Sequence, residues 1–254
     1  MPRAHQPTRR KKSINNKKMN KVYIISEICG QWGGSVQRAE QMILQSKLAG
    51  ADAVKVQLYD TYRMPGDDRQ KWEYLSMTEE QFLKLKTFAD NLNIDFFASA
   101  FDEERFSWIR NTNIKINKIG SILLELNLEL CKNMISTKME TYCSLGKWKE
   151  KQFPFEDENV KYFHCLYKYP HYYKEAVELM PRQFDNKLVG YSDHTLGTEA
   201  CREAIRRGAK IIEKHYTTDH NLQSETEGAH SCSMNMEELR ALRNFCDKSF
   251  IYTQ

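Results

Sequence analysis

No apolar run in this sequence approaches the roughly 18 residues a membrane-spanning helix needs, and the first residues contain nothing resembling a signal peptide. These absences predict a soluble, cytoplasmic protein with no membrane partner. No CxxC pair occurs among the seven cysteines (Cys29, Cys131, Cys143, Cys165, Cys201, Cys232 and Cys246), so reduced thiols are expected rather than a zinc knuckle or a disulfide framework. Acidic residues are missing from residues 1–18, which hold seven Lys or Arg. Setting those seven aside from the total of 38 leaves 31 basic residues against 34 acidic, so the formal charge of +4 belongs to the N-terminal stretch. A basic, disordered leader over residues 1–20 is expected, with nucleic-acid binding through RRKK at residues 9–12 as the weaker alternative.

The remaining residues, 21–254, suffice for one domain with a sizeable core. Short apolar runs alternate with segments of helical period throughout. Strands are predicted near residues 22–27, 53–60, 95–102, 114–121, 134–139 and 160–170, and two more begin at Leu188 and Ile211. Between them, Ala39, Met42, Ile43 and Ala49 mark a helix stopped by Gly50. Phe82, Leu85, Ala89 and Leu92 mark a second, capped by Thr78. Further helices carry Phe106, Trp108 and Ile109; Ala176 to Met180; Cys201, Ala204 and Ile205; and Leu239, Leu242 and Cys246. Only about two helical turns fit in residues 126–133, before the fifth strand at MISTKM. Eight strands, each followed by a helix, predict an α/β fold, a single (β/α)8 TIM barrel.

Polar residues that apolar packing does not explain cluster at or just beyond the predicted strand C-terminal ends, the face that carries active sites in such barrels. They are Glu27, Lys55, Gln57, Ser99, Lys118, Ser121, Ser136, Tyr169, Ser192, His194 and His215. Lys55 and Lys118 with the serine hydroxyls make a cradle for phosphate or carboxylate. His194 and His215 lie one βα repeat apart and form a candidate metal site with open coordination positions. The alternatives are a loop histidine tied to Asp193 or a backbone carbonyl, and a core imidazole held by Glu213. Glu27 is a general acid/base, a ligand for sugar hydroxyls, or a structural carboxylate paired with a lysine. His164 reads as a hydrogen-bonded core histidine. A nucleophilic pair of His164 with Cys165 is discounted because neighbours on a strand face opposite ways. Trp32, Trp72 and Tyr74 are candidates for stacking on a ligand, and the long loop over residues 60–76 for covering it.

The motifs SEI at residues 26–28, GADAVKVQ at 50–57, FFASAFD, KIGS, ISTKM, HCLYKYP, GYSDHT and IIEKHYTTD resemble, in order, those of the sialic acid synthase family. That resemblance implies a condensation of phosphoenolpyruvate with an N-acetylated hexosamine, N-acetylmannosamine-like, to a sialic or nonulosonic acid and phosphate. C3 of phosphoenolpyruvate attacks the open-chain aldehyde, water adds at C2, and phosphate leaves by C–O cleavage. It further implies a divalent ion at His194 and His215, manganese with magnesium or cobalt as alternatives. Phosphoenolpyruvate would lie on Lys55, Ser99, Lys118, Ser121, Ser136 and Ser192, the sugar against Gln57 and Tyr169, and Glu27 at the reacting centre. A related synthase for another aldose and an inactive anion-binding barrel are the alternatives. Gln31 with Trp32, Leu123, Tyr167 and Ala229 depart from the family pattern, with Glu225 and Glu227 near the last as stand-ins; these departures are expected on the sugar side. The family's C-terminal antifreeze-like domain is expected to be absent, which predicts broad, weak sugar usage or dependence on a separately encoded cap; a homodimer is the other partner expected.

Overall fold

A computed structural model of the chain describes residues 21–61, 73–221 and 231–251. The basic leader, Trp72 with most of its loop, and Glu225, Glu227, Ala229 and His230 lie outside the described residues. Eight parallel strands close in sequence order into a barrel, as the alternating pattern predicts. They are β1 (Tyr23–Glu27), β2 (Ala53–Leu58), β3 (Asp95–Ala100), β4 (Ile116–Ile119), β5 (Glu140–Ser144), β6 (Val160–Cys165), β7 (Leu188–Asp193) and β8 (Ile211–His215). The first and last strands pair over five residues, Tyr23 opposite Ile211 through Glu27 opposite His215, and so close the ring.

Strand alternation divides each strand between the barrel interior and the surrounding helices. Inside, Phe97, Tyr142 and Phe163 form an apolar floor. Tyr142 meets Phe97 edge-on at 6.1 Å and lies tilted over Phe163 at 5.1 Å. Gly190 on β7 is required there, because a Cβ on it would come within 2.4 Å of the Phe163 ring. Above the floor the inward residues turn polar. That change of character within one barrel positions the site.

The helices follow from periodicity and caps. Helix α1 (Val36–Ala49) buries Ala39, Met42, Ile43 and Ala49 and ends at Gly50, whose φ of 95° suits glycine. Helix α2 (Glu79–Asn91) opens with a capping box between Thr78 and Gln81. Leu92, expected inside it, is its C-cap residue. Helix α3 (Glu103–Arg110) is capped by the Asp102 carboxylate. The fifth βα unit differs from expectation. Two helices, α4 (Ser121–Leu126) and α5 (Leu128–Ser136), fill the stretch expected to hold one short helix and a strand. The Asn127 side chain accepts from the Leu130 N–H and starts α5, whose Leu130, Cys131, Met134 and Ile135 are buried at helical spacing. MIS is therefore the last turn of a helix, and Lys138, at φ 60°, redirects the chain into the true β5. The β-branched Ile135 and Thr137 mimic a strand locally, but the helical burial pattern prevails. Helices α6 (Tyr173–Leu179), α7 (Glu199–Arg206) and α8 (Met236–Ile251) complete the shell. Among the described residues no helix is long and apolar enough to cross a membrane.

Candidate functional site

One pocket opens at the C-terminal ends of the strands, lined by Glu27, Lys55, Gln57, Ser99, Lys118, Ser121, Tyr169, Ser192, His194 and His215. Ten of the eleven residues singled out from the sequence are thus brought together. The exception is Ser136. It lies at the exposed C-terminus of α5 and donates to the Asn133 carbonyl at 2.8 Å, away from the pocket. Its expected role depended on a strand that is a helix. The fifth strand contributes Ser144 instead, whose hydroxyl accepts from the Lys118 ammonium at 2.7 Å.

The floor of the pocket is an ionic ring. Lys55 pairs with Glu27, donates to the Ser99 hydroxyl at 3.2 Å and lies 3.6 Å from Glu213. Lys118 lies 3.5 Å from the other oxygen of Glu213, which also accepts from Ser192 at 2.9 Å. All four charged side chains are buried. The sequence offers Glu213 only as a support for His215; two residues before His215 on the same strand, it shares that residue's inward face, and period-two alternation is the signal that identifies it.

The two carboxylates differ electrostatically. Burial and the Glu213 charge push the Glu27 carboxyl up, outweighing Lys55 and the Cys29 N–H that donates to it at 2.8 Å. Burial opposes ionisation of Glu213 too, but Lys118, Lys55 and the Ser192 hydroxyl hold it below the usual carboxylate range. Burial pulls Lys55 down, yet Glu213 and Glu27 overcome it and hold the ammonium above its ordinary value. Lys118 is lowered by burial. An environment that separates two carboxyl groups in this way can set a proton-exchanging group beside a fixed anion.

The histidine rings lie at the rim with centroids 5.6 Å apart, and the Tyr169 ring covers His194 at 3.9 Å. The Nδ1 of His194 sits 2.7 Å from the Leu166 carbonyl, which assigns the proton to Nδ1 and leaves Nε2 with its lone pair. Burial lowers its pKa to about 4, keeping the ring neutral. Its tie is to a backbone carbonyl, not to Asp193, which instead binds Lys214. Cys165 also enters the pocket, its sulfur 3.8 Å from His194 Nδ1. Burial raises that thiol to about 11, so the pair is not a thiolate–imidazolium nucleophile. His164 faces outward against Tyr191, its Nε2 buried and without a hydrogen bond, rather than hydrogen-bonded as expected.

The departures expected on the sugar side divide differently. Trp32 and Leu123 are buried in the hydrophobic core, so neither stacks on a ligand, whereas Tyr167 does line the pocket beside Phe101 and Ile122. Among the described residues no group of three or more His, Cys, Asp or Glu side chains is arranged to hold a metal ion. Among the described residues the two imidazoles are the ligands the rim offers.

Comparison with known proteins agrees with this geometry. The chain is 32% identical over 259 residues to an N-acetylneuraminate-9-phosphate synthase of Drosophila melanogaster, a match covering 90% of this chain and 68% of that protein. It is 28% identical to an N,N'-diacetyllegionaminic acid synthase of Legionella pneumophila, with 87% and 70% covered. A solved N-acetylneuraminic acid synthetase from Leptospira borgpetersenii shares the fold, with a TM-score of 0.78 at 24% identity over 92% of this chain and 86% of that one. The NeuB family model matches residues 42–250, so the chain belongs to the NeuB family.

Proposed function

We propose that this barrel condenses phosphoenolpyruvate with an N-acetylated hexosamine, giving a nonulosonic acid and phosphate, with a divalent ion held by His194 and His215. The family membership and the synthase names of its relatives support the reaction class. The observation that carries the reading to these residues is the ionic ring beside the two imidazoles. Two lysines offset two carboxylates, and His194 is neutral, so the pocket has little net charge to receive a substrate bearing both phosphate and carboxylate. A divalent cation at the rim would supply the missing positive charge. The family resemblance points to manganese, with magnesium or cobalt as the alternatives, the remaining ligands being the oxygens of water and substrate. When bound, such an ion polarises the aldehyde oxygen as a Lewis acid.

The chain's own residues carry the rest. Lys55 and Lys118 supply charge-assisted donors to phosphate and carboxylate oxygens, with Ser99, Ser121, Ser144 and Ser192 around them. Glu27, paired with Lys55 at the reacting centre, is the group placed to exchange a proton with the alkoxide oxygen formed when C3 attacks. Glu213 stays ionised, and its Oε2 accepts no hydrogen bond, leaving an acceptor for the water that adds at C2. Gln57 and Tyr169 face the aldose, with Tyr167 and Phe101 forming the outer wall. The test is phosphate release from phosphoenolpyruvate with manganese across a panel of N-acetylated and deoxy hexosamines. Release dependent on both an aldose and the ion is expected. Full activity in chelator would refute the metal assignment, and no release with any aldose would refute the reaction.

A further inference from the structure

We propose that the buried ion pair between Asp193 and Lys214 is a positioning device that sets the spacing and orientation of His194 and His215. Asp193 ends β7 immediately before His194, and Lys214 immediately precedes His215 on β8. The two are opposed in the strand register. Strand alternation sends the histidines into the pocket and this pair to the opposite face, against α7, where both side chains are 0% exposed. The Lys214 ammonium donates to Asp193 Oδ2 at 2.5 Å and to the Thr195 carbonyl at 2.8 Å. Thr195 returns two bonds to Asp193, from its N–H at 3.1 Å and its hydroxyl at 3.0 Å. The Tyr191 hydroxyl donates to Asp193 Oδ1 at 2.9 Å and the Cys201 thiol approaches Oδ2 at 3.3 Å. Both residues flanking His194 are therefore tied to the residue beside His215.

Further restraints on His194 come from the segment that follows β6, on the other side. Its ring is held by the Leu166 carbonyl, and its own carbonyl accepts from the His171 N–H at 2.9 Å. With Lys214 the imidazole is fixed from the segment after β6, from β7 and from β8 together. A buried ion pair is a poor source of net stability, because apolar side chains of similar volume fill such a space at less cost. A fully satisfied polar network does hold one geometry, and groups acting jointly on one ligand need placement to within about 0.5 Å. None of Asp193, Lys214, Thr195 and Tyr191 lines the pocket, so the cluster acts on the histidines through the backbone and through the opposed fields of its two charges.

This inference rests on the reading that His194 and His215 act together on a divalent ion, and the experiment separates the two. The double variant Asp193→Asn/Lys214→Met removes both charges without leaving either one buried alone. Thr195→Val removes one hydroxyl bond and keeps the pair. For each, three quantities are measured on the full chain: urea stability, binding of manganese alone by calorimetry, and the ¹⁵N imidazole signals of His194. The double variant is expected to remain folded, to bind manganese about tenfold or more weakly, and to lose the fixed Nδ1–H signature of His194. Thr195→Val should show the same changes in smaller degree, and it decides the matter if the double variant does not fold. Unchanged manganese affinity and an unchanged His194 signal in a folded variant would overturn the proposal. A parent chain that binds no manganese would sink the metal reading instead, and the imidazole signals would then decide the positioning role alone.

Discussion

At the residue scale, Ser144 and Ser136 make the sharpest contrast. The Lys118 ammonium is buried and donates to the Ser144 hydroxyl at 2.7 Å, so Ser144→Ala removes an acceptor from a charged donor. Such a bond is worth about 1.5–3 kcal/mol, and phosphoenolpyruvate affinity should fall about tenfold or more. Ser136→Ala, at the exposed end of a helix, should leave the affinity unchanged. Calorimetric titration of both variants with phosphoenolpyruvate checks the pair. Equal effects would remove the structural reason for exchanging one serine for the other. His164 offers a second residue-level test, in stability. Burial lowers its pKa from 6.5 to about 4, so the unfolded chain takes up the proton more readily. Its contribution is present above about pH 6.5 and is lost as pH falls toward 4, on the order of 3 kcal/mol in all. His164→Phe should flatten that part of the acid limb in urea titrations at several pH values.

At the element scale, β7 depends on having no side chain at Gly190. A Cβ there meets the Phe163 ring at 2.4 Å, where β6 and β7 also shift register between Tyr162 and Phe163. Overpacking of this kind typically costs about 1–3 kcal/mol. Gly190→Ala is expected to lose that much in denaturant unfolding, and the added change Phe163→Leu to recover part of it. An additive double variant would show that the ring is not the obstacle. Helix α5 has the opposite lesson. Its last turn carries the serine, threonine and isoleucine of a strand motif, yet Leu130, Cys131, Met134 and Ile135 bury one helical face. Four residues buried at 3.6 spacing outweigh two β-branched ones.

At the scale of the whole molecule, the barrel is closed by elements from opposite ends of the chain. β1 pairs with β8, and Arg243 of α8 donates to the Val22 carbonyl at 2.9 Å and to Asp52 at 3.1 Å. The guanidinium is largely buried and packs its stem over Gly50. Arg243→Leu should cost about 2 kcal/mol, reduced from the full penalty of a broken buried pair because Asp52 is partly exposed and keeps other partners. Circular dichroism and tryptophan fluorescence during urea unfolding should still coincide. A separate early transition would indicate that α8 leaves the barrel independently.

By itself the sequence determined the period of the elements outside the fifth βα unit and the chemical type at the other strand ends. Those two suffice for a (β/α)8 barrel and for bringing ten of the eleven singled-out residues to one pocket, because the inward face of a strand is set by local alternation. Tertiary structure alone decided what alternation cannot carry. A segment rich in both helical and strand signals became α5 through burial of one face, moving the serine of the fifth unit from Ser136 to Ser144. Whether Trp32, Leu123 and Tyr167 face ligand or core likewise depends on how the loops pack over the barrel. So does the electrostatic difference between Glu27 and Glu213, two buried carboxylates of the same chemistry. Glu213 lies among Lys118, Lys55 and the Ser192 hydroxyl, which hold its carboxyl down, whereas burial and the Glu213 charge push Glu27 up, and that arrangement exists only once eight strands have closed around them.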